Sequence, residues 1–77
     1  FVAGGAITTI ATTGDILAND NILIDSADSI TLGGNTESTT GNITIDATTF
    51  IAQNANIETK ADTKTIELIA QGGNITM

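Results

Sequence analysis

The chain has 77 residues, no Cys, no His and a formal net charge of -7 at pH 7. This acidity argues against binding to a nucleic-acid backbone, and the missing Cys and His exclude a disulfide framework and an ordinary zinc site. A chain of this length forms one domain at most and buries only about 60% of its unfolded surface, so we expect oligomerisation to add stability.

The N-terminal third is predicted to begin with a weak strand over residues 5–13, because Ile7 and Ile10 do not alternate simply. From residue 14 onward a phrase recurs in which a polar turn residue precedes an Ile, a small or polar residue and a further apolar residue. Each phrase predicts a short strand, first at 16–18, 22–24 and 30–32. Helix is disfavoured because Ile, Thr, Asn, Asp and Gly dominate the chain.

The polar, glycine-led segment 33–40 interrupts the phrase and is predicted to be a loop or irregular insertion that extends from the stack. The phrase then returns. The later strands are predicted at 43–45, 50–52, 57–59, 66–68 and 75–77.

Alternation along each strand assigns its apolar residues to an inward face and residues such as Thr31, Thr44 and Glu58 to solvent. The structural core is therefore predicted to comprise Ile22, Ile24, Ile30, Leu32, Ile43, Ile45, Ile57, Ile66, Leu68 and Ile75.

The spacing of the phrases bears on the architecture, because their Ile residues follow one another at steps of 6, 8, 13, 14, 9 and 9. A step near eight fits one side of a three-sided prism, whereas a whole coil of one chain needs roughly 20 residues. Either three consecutive strands of one chain close a coil, or three chains each contribute one strand to a layer. Three chains supply each other's edges and enlarge the core. We therefore expect an all-β, intertwined triple-stranded β-helix formed by a homotrimer, with residues 1–77 as a single domain cut from a longer chain.

Catalytic chemistry is not expected, because Ser26, Ser29 and Ser38 have no His or Cys to act beside them. The pairs Gly33-Gly34 and Gly72-Gly73 lack the Lys and the following helix of a phosphate loop and predict tight turns. The sequence thus predicts no enzyme.

Five Asp residues could suggest calcium, but their spacing matches neither an EF-hand nor a glycine-rich β-roll. We expect turn formers and solvated charges at Asp15, Asp20, Asp25, Asp28 and Asp46. No metal site and no cofactor are predicted, and the sequence identifies no axial ion. Lys60 and Lys64 are expected to pair at the surface with Glu58, Asp62 and Glu67.

The phrases at 41–47, 56–61 and 71–76 resemble the C-terminal β-helix of contractile-tail central spikes, which include phage baseplate cell-puncturing proteins and the valine-glycine repeat proteins of type VI secretion. The resemblance covers roughly residues 14–77. It implies a trimeric needle at the tail tip of a virion or in an extracellular injection apparatus, which acts mechanically on the bacterial outer membrane. Flanking domains would join it to tail or baseplate components. Many such spikes hold iron through a His-x-His pair, which this chain lacks.

Gly-Asn-Ile-Thr-Ile phrases such as residues 41–45 also occur in adhesins of the filamentous haemagglutinin type. The alternative hypothesis is therefore a fragment of a secreted single-chain β-solenoid that binds host ligands through its loops or lateral faces. No apolar run approaches the roughly 18 residues that span a bilayer, so at most transient membrane contact is expected in either case.

Overall fold

The structure is a computed structural model that describes residues 2–10, 14–61 and 63–76. This part of the chain is a parallel β-solenoid of about three turns, built from short strands joined by turns and bends. Its strands are β1 (Val2–Ala3), β2 (Ile7–Thr9), β3 (Ile16–Ala18), β4 (Ile22–Ser26), β5 (Ile30–Leu32), β6 (Thr36–Ser38), β7 (Ile43–Ala47), β8 (Ile51–Gln53), β9 (Ile57–Thr59), β10 (Ile66–Ala70) and β11 (Ile75–Thr76). Within these residues, no helix has the length and apolar character to cross a bilayer.

Consecutive strands belong in turn to three parallel sheets. Sheet A has the order β1-β4-β7-β10, sheet B has the order β2-β5-β8-β11, and sheet C has the order β3-β6-β9. Each of the strands β1 to β8 pairs in register with the strand one coil later, so that Ile22 lies beside Ile43 and Ile43 lies beside Ile66. Three consecutive strands of one chain therefore make a coil, which is the first of the two closures considered above.

The core is a set of inward columns of branched aliphatic side chains in the middle coils. Ile24, Ile30, Leu32, Ile43 and Ile45 have no exposed surface. Of the other predicted core residues, Ile22 is buried, and Ile57 and Leu68 are partly buried and pack against the core. The buried Ala47 and Ile51 complete the cluster.

Two predicted core residues are considerably more exposed. Ile66 is 40% exposed and Ile75 is 38% exposed. The alternation that places them inward is the same as in the middle coils, but β10 and β11 each have a pairing strand on one side only among the described residues. The fully buried Ile30, Ile43 and Ile45 lie on strands that pair on both sides. Met77, the last residue of the predicted strand 75–77, lies outside the described residues.

The prediction of a loop over residues 33–40 is wrong, because β6 (Thr36–Ser38) lies within it and is the middle strand of sheet C. Thr36 and Ser38 face inward and are 1% and 0% exposed. Small hydroxyl side chains fit an inward column whose other members include Ala18, so polarity alone does not identify a loop here. The weak strand predicted over 5–13 corresponds to β2 (Ile7–Thr9), and residues 11–13 of that prediction lie outside the described part.

Candidate interaction surface

Two corners of the solenoid carry ladders of side-chain to backbone hydrogen bonds. Between sheets C and A, the backbone N–H of Asn42 donates to Asn21 Oδ1 at 2.8 Å, and the N–H of Thr65 donates to Asn42 Oδ1 at 2.9 Å. The Asn42 carbonyl in turn accepts from the N–H of Ile22 at 2.9 Å. The amide side chain thus continues the hydrogen bonding between coils where the backbone bends away from the sheet.

The corner between sheets B and C repeats this design. The N–H of Asn35 donates to Asp15 Oδ1 at 3.0 Å, and the N–H of Asn56 donates to Asn35 Oδ1 at 3.1 Å. The two steps of the first ladder span 21 and 23 residues and those of the second span 20 and 21, which is about the length of one coil. At these two corners the ladder residue is therefore the polar residue that directly precedes the next strand, which begins with Thr36 after Asn35 and with Ile in the other cases.

The inward hydroxyls of Ser26 and Ser38 form hydrogen bonds with backbone groups of the turns. Ser38 Oγ donates to the Asp20 carbonyl at 2.5 Å and accepts from the Gly41 N–H at 2.9 Å. Ser26 Oγ donates to the Gly5 carbonyl at 2.6 Å. Both side chains are almost fully buried, at 1% exposure for Ser26 and 0% for Ser38. These hydroxyls fasten neighbouring coils together and are not presented to a substrate.

Carboxylates occupy the turns and the outer rows of sheets A and C. Asp28 accepts a hydrogen bond from Thr49 Oγ1 at 3.2 Å, and Asp46 accepts one from Gln71 Nε2 at 3.0 Å. Asp20 accepts from the N–H of Asn21 at 2.9 Å. No group of three or more His, Cys, Asp or Glu side chains with the geometry to hold a metal ion occurs in the described residues.

The ion pair found at the surface differs from the predicted cluster. Lys60 Nζ lies 3.8 Å from Glu37 Oε2, so its partner is on the previous coil and outside the predicted set. Parallel stacking explains the difference, since β6 runs beside β9 and brings Glu37 next to Glu58. Sequence neighbours are separated along the perimeter, whereas residues one coil apart are adjacent. Asp62 of the predicted cluster lies outside the described residues.

The outer face of sheet B differs from the other two faces, because its strands contain no ionisable residue. Its outward row consists of Thr8, Thr31, Ala52 and Thr76, and we call this row the uncharged face. By contrast, the outer row of sheet C includes Glu37 and Glu58, and that of sheet A includes Asp25, Asp46 and Glu67.

Comparison with protein-family models, curated proteins and solved structures finds no match to this chain.

The surface also has two shallow depressions, whose linings contain few reactive side chains. One, of about 250 Å³, is lined by Leu17, Ala18, Asn19, Glu37 and Thr39 beside the corner between sheets C and A. The other, of about 350 Å³, is lined by residues between Val2 and Thr9. The first depression is lined by one ionisable residue, Glu37, and the second by none. The candidate site of this fold is therefore a lateral surface, and the sequence reasoning missed its uncharged part because the four strands that form it are far apart in the chain.

Proposed function

We propose that this chain is a structural shaft segment of a secreted single-chain β-solenoid of the adhesin type, whose loops or lateral faces contact host ligands. The observation that carries the proposal is the closure of each coil by strands of one chain, as in the column of Ile22, Ile43 and Ile66. A chain that closes its own coils needs no partner chain to complete a layer. This favours the adhesin hypothesis over an intertwined needle.

The fold suits a shaft for two physical reasons. The inward columns form a dry aliphatic core, in which residues such as Ile24 and Ile45 are fully buried. The corner ladders add hydrogen bonds between coils at positions where water would otherwise compete for the backbone. Both features repeat along the axis, so the side chains of the outer rows can vary without loss of the scaffold.

The mass of the particle tests the proposal first. Sedimentation velocity at low micromolar concentration is expected to give the mass of one chain, and circular dichroism of the same sample is expected to be rich in strand. A stable three-chain particle at this concentration would contradict the single-chain solenoid.

Adhesion itself is tested with coated beads on a monolayer of host cells. Beads that carry the folded chain are expected to be retained under washing. Beads that carry the Ile45→Asp variant, which should not fold because Ile45 is fully buried, are expected to be lost. Equal retention of both bead types would contradict binding by a folded lateral face.

A membrane-piercing spike of a contractile injection machine is the second candidate. The uninterrupted aliphatic column of Ile24, Ile45 and Leu68 favours it, because stacked large side chains resist compression along the axis. In this proposal three chains intertwine into a three-sided prism at a virion tail tip, contact the bacterial outer membrane transiently and join tail components through further domains. A heat-resistant particle of three chains would support the spike, and a monomer would exclude it.

A further inference from the structure

We propose that the uncharged face is a self-association surface, through which two copies of this chain pack sheet B against sheet B. The proposal rests on the fold and on the distribution of charge, and it does not depend on the proposed function. Thr31 and Ala52 are half-buried at the centre of the face, and Thr8 and Thr76 are exposed towards its two ends. All four side chains are small, so this row of the parallel sheet is flat.

The charge of the chain selects this face over the other two. The formal charge is -7, so two copies repel each other at long range. Contact through sheet A would bring Asp25 and Asp46 against acidic rows of the partner, and contact through sheet C would do the same with Glu37 and Glu58. Contact through sheet B would place the uncharged rows of the two copies opposite each other. The acidic faces then point away from the partner, and salt screens charges that are more than about 8 Å apart.

The composition of the face fits a second copy in particular. A contact between identical faces is self-complementary under two-fold symmetry, and Thr hydroxyls both donate and accept hydrogen bonds. Phe50, which directly precedes β8, is 46% exposed, and Ile10, which directly follows β2, is 67% exposed. These two side chains extend the apolar area at the margins of the row.

The size of the face sets the strength of the association. A stable dimer usually buries about 800 Å² on each partner. Four strands of two or three residues cover less than this, so we expect a weak and reversible dimer that appears only as the protein concentration rises. Because the contact is neutral, raising the salt concentration should not dissolve it.

Sedimentation velocity over a wide range of protein concentrations, at low and high salt, tests this inference. The native chain is expected to shift from monomer to dimer at both salt concentrations. The Thr31→Glu variant places a carboxylate twice in the contact and is expected to weaken association at least about tenfold. The matched control is Thr44→Glu, which adds the same charge at a half-buried outward position of sheet A and is expected to leave the dimer intact.

Circular dichroism confirms that each variant is folded, and Ala52→Glu provides a second substitution on the face if Thr31→Glu is not. A chain that stays monomeric at every concentration overturns the inference but leaves the single-chain solenoid standing. A dimer that both charged variants of the face retain also overturns it. A trimer that is insensitive to Thr31→Glu overturns this inference and the adhesin proposal together.

Discussion

Ile43 and Ile66 are neighbours in one inward column, yet the first is fully buried and the second is 40% exposed. Both are Ile, both open a five-residue strand of sheet A, and both follow a polar corner residue. They differ in their neighbours, because β7 pairs with strands on two sides and β10 pairs with β7 alone among the described residues. In this solenoid the sequence pattern sets the direction of a side chain, and the coils on either side set its burial and its contribution to stability.

A charge introduced into an inward column should give the largest difference in stability between the middle coil and the last coil. Ile45 lies between Ile24 and Leu68 with no exposed surface, so the Ile45→Asp variant leaves a carboxylate without water or a partner. We expect complete loss of the fold, equivalent to more than about 4 kcal/mol. Urea denaturation followed by circular dichroism measures the effect. Ile66→Asp is the matched control, whose carboxylate can reach water, and it should retain strand structure. Similar transitions for the two variants would contradict the difference between the coils.

Backbone packing should distinguish a middle coil from the first coil. A Cβ on Gly34 would lie 2.5 Å from the carbonyl carbon of Gly14 in the neighbouring coil, whereas a Cβ on Gly4 would meet nothing within 4 Å. Gly34→Ala is therefore expected to lower the free energy of unfolding by about 1–3 kcal/mol. Gly4→Ala should have no destabilising effect. Equal unfolding midpoints for the two variants would show that the corner does not pack as closely as described.

The ladders allow a subtler test at two Asn residues. Asn42 Oδ1 accepts the Thr65 N–H at 2.9 Å, whereas the Asn56 side chain accepts no hydrogen bond from the described residues. Asn42→Ala is expected to cost about 1 kcal/mol because it removes the acceptor of a hydrogen bond between coils. Asn56→Ala should cost close to nothing. Asn42→Asp keeps the acceptor and should recover most of the loss. Equal free energies of unfolding for Asn42→Ala and Asn56→Ala would show that the ladder does not contribute to stability.

The smallest effect is expected from two inward Thr residues. Thr36 Oγ1 is buried and has no hydrogen-bond partner among the described residues, whereas Thr59 Oγ1 donates to the Gly41 carbonyl at 2.8 Å. Thr36→Val keeps the shape and removes an unpaired polar group, so it should raise the free energy of unfolding by up to about 1 kcal/mol. Thr59→Val should lower it by a similar amount. Thermal unfolding measures the change in stability, which should be positive for Thr36→Val and negative for Thr59→Val. A loss of stability in both variants would contradict the unpaired state of Thr36.

Sequence reasoning located most of the strands because the phrase couples a polar corner residue to an inward Ile. It missed β6 because Thr36 and Ser38 replace the usual aliphatic residues there. The Asp20 carbonyl, which accepts from the inward Ser38 hydroxyl, lies 18 residues earlier in the chain, so sequence alone does not reveal it. The sequence does not decide whether one chain or three chains close a coil, because the preference for three chains depends only on the shortage of core. In the structure, strands one coil apart in the same chain pair, which gives Ile30 and Ile51 a shared column.

The central claim, closure of each coil by one chain, is tested most directly by a disulfide between Leu23 and Thr44. These residues face outward on neighbouring strands in register, and the native chain has no Cys. Neighbouring strands lie about 4.8 Å apart, within the range that a disulfide spans. The oxidised Leu23→Cys/Thr44→Cys variant is expected to run as a single chain on a non-reducing denaturing gel. Covalent dimers and trimers as the main product would show that the neighbouring strands come from different chains.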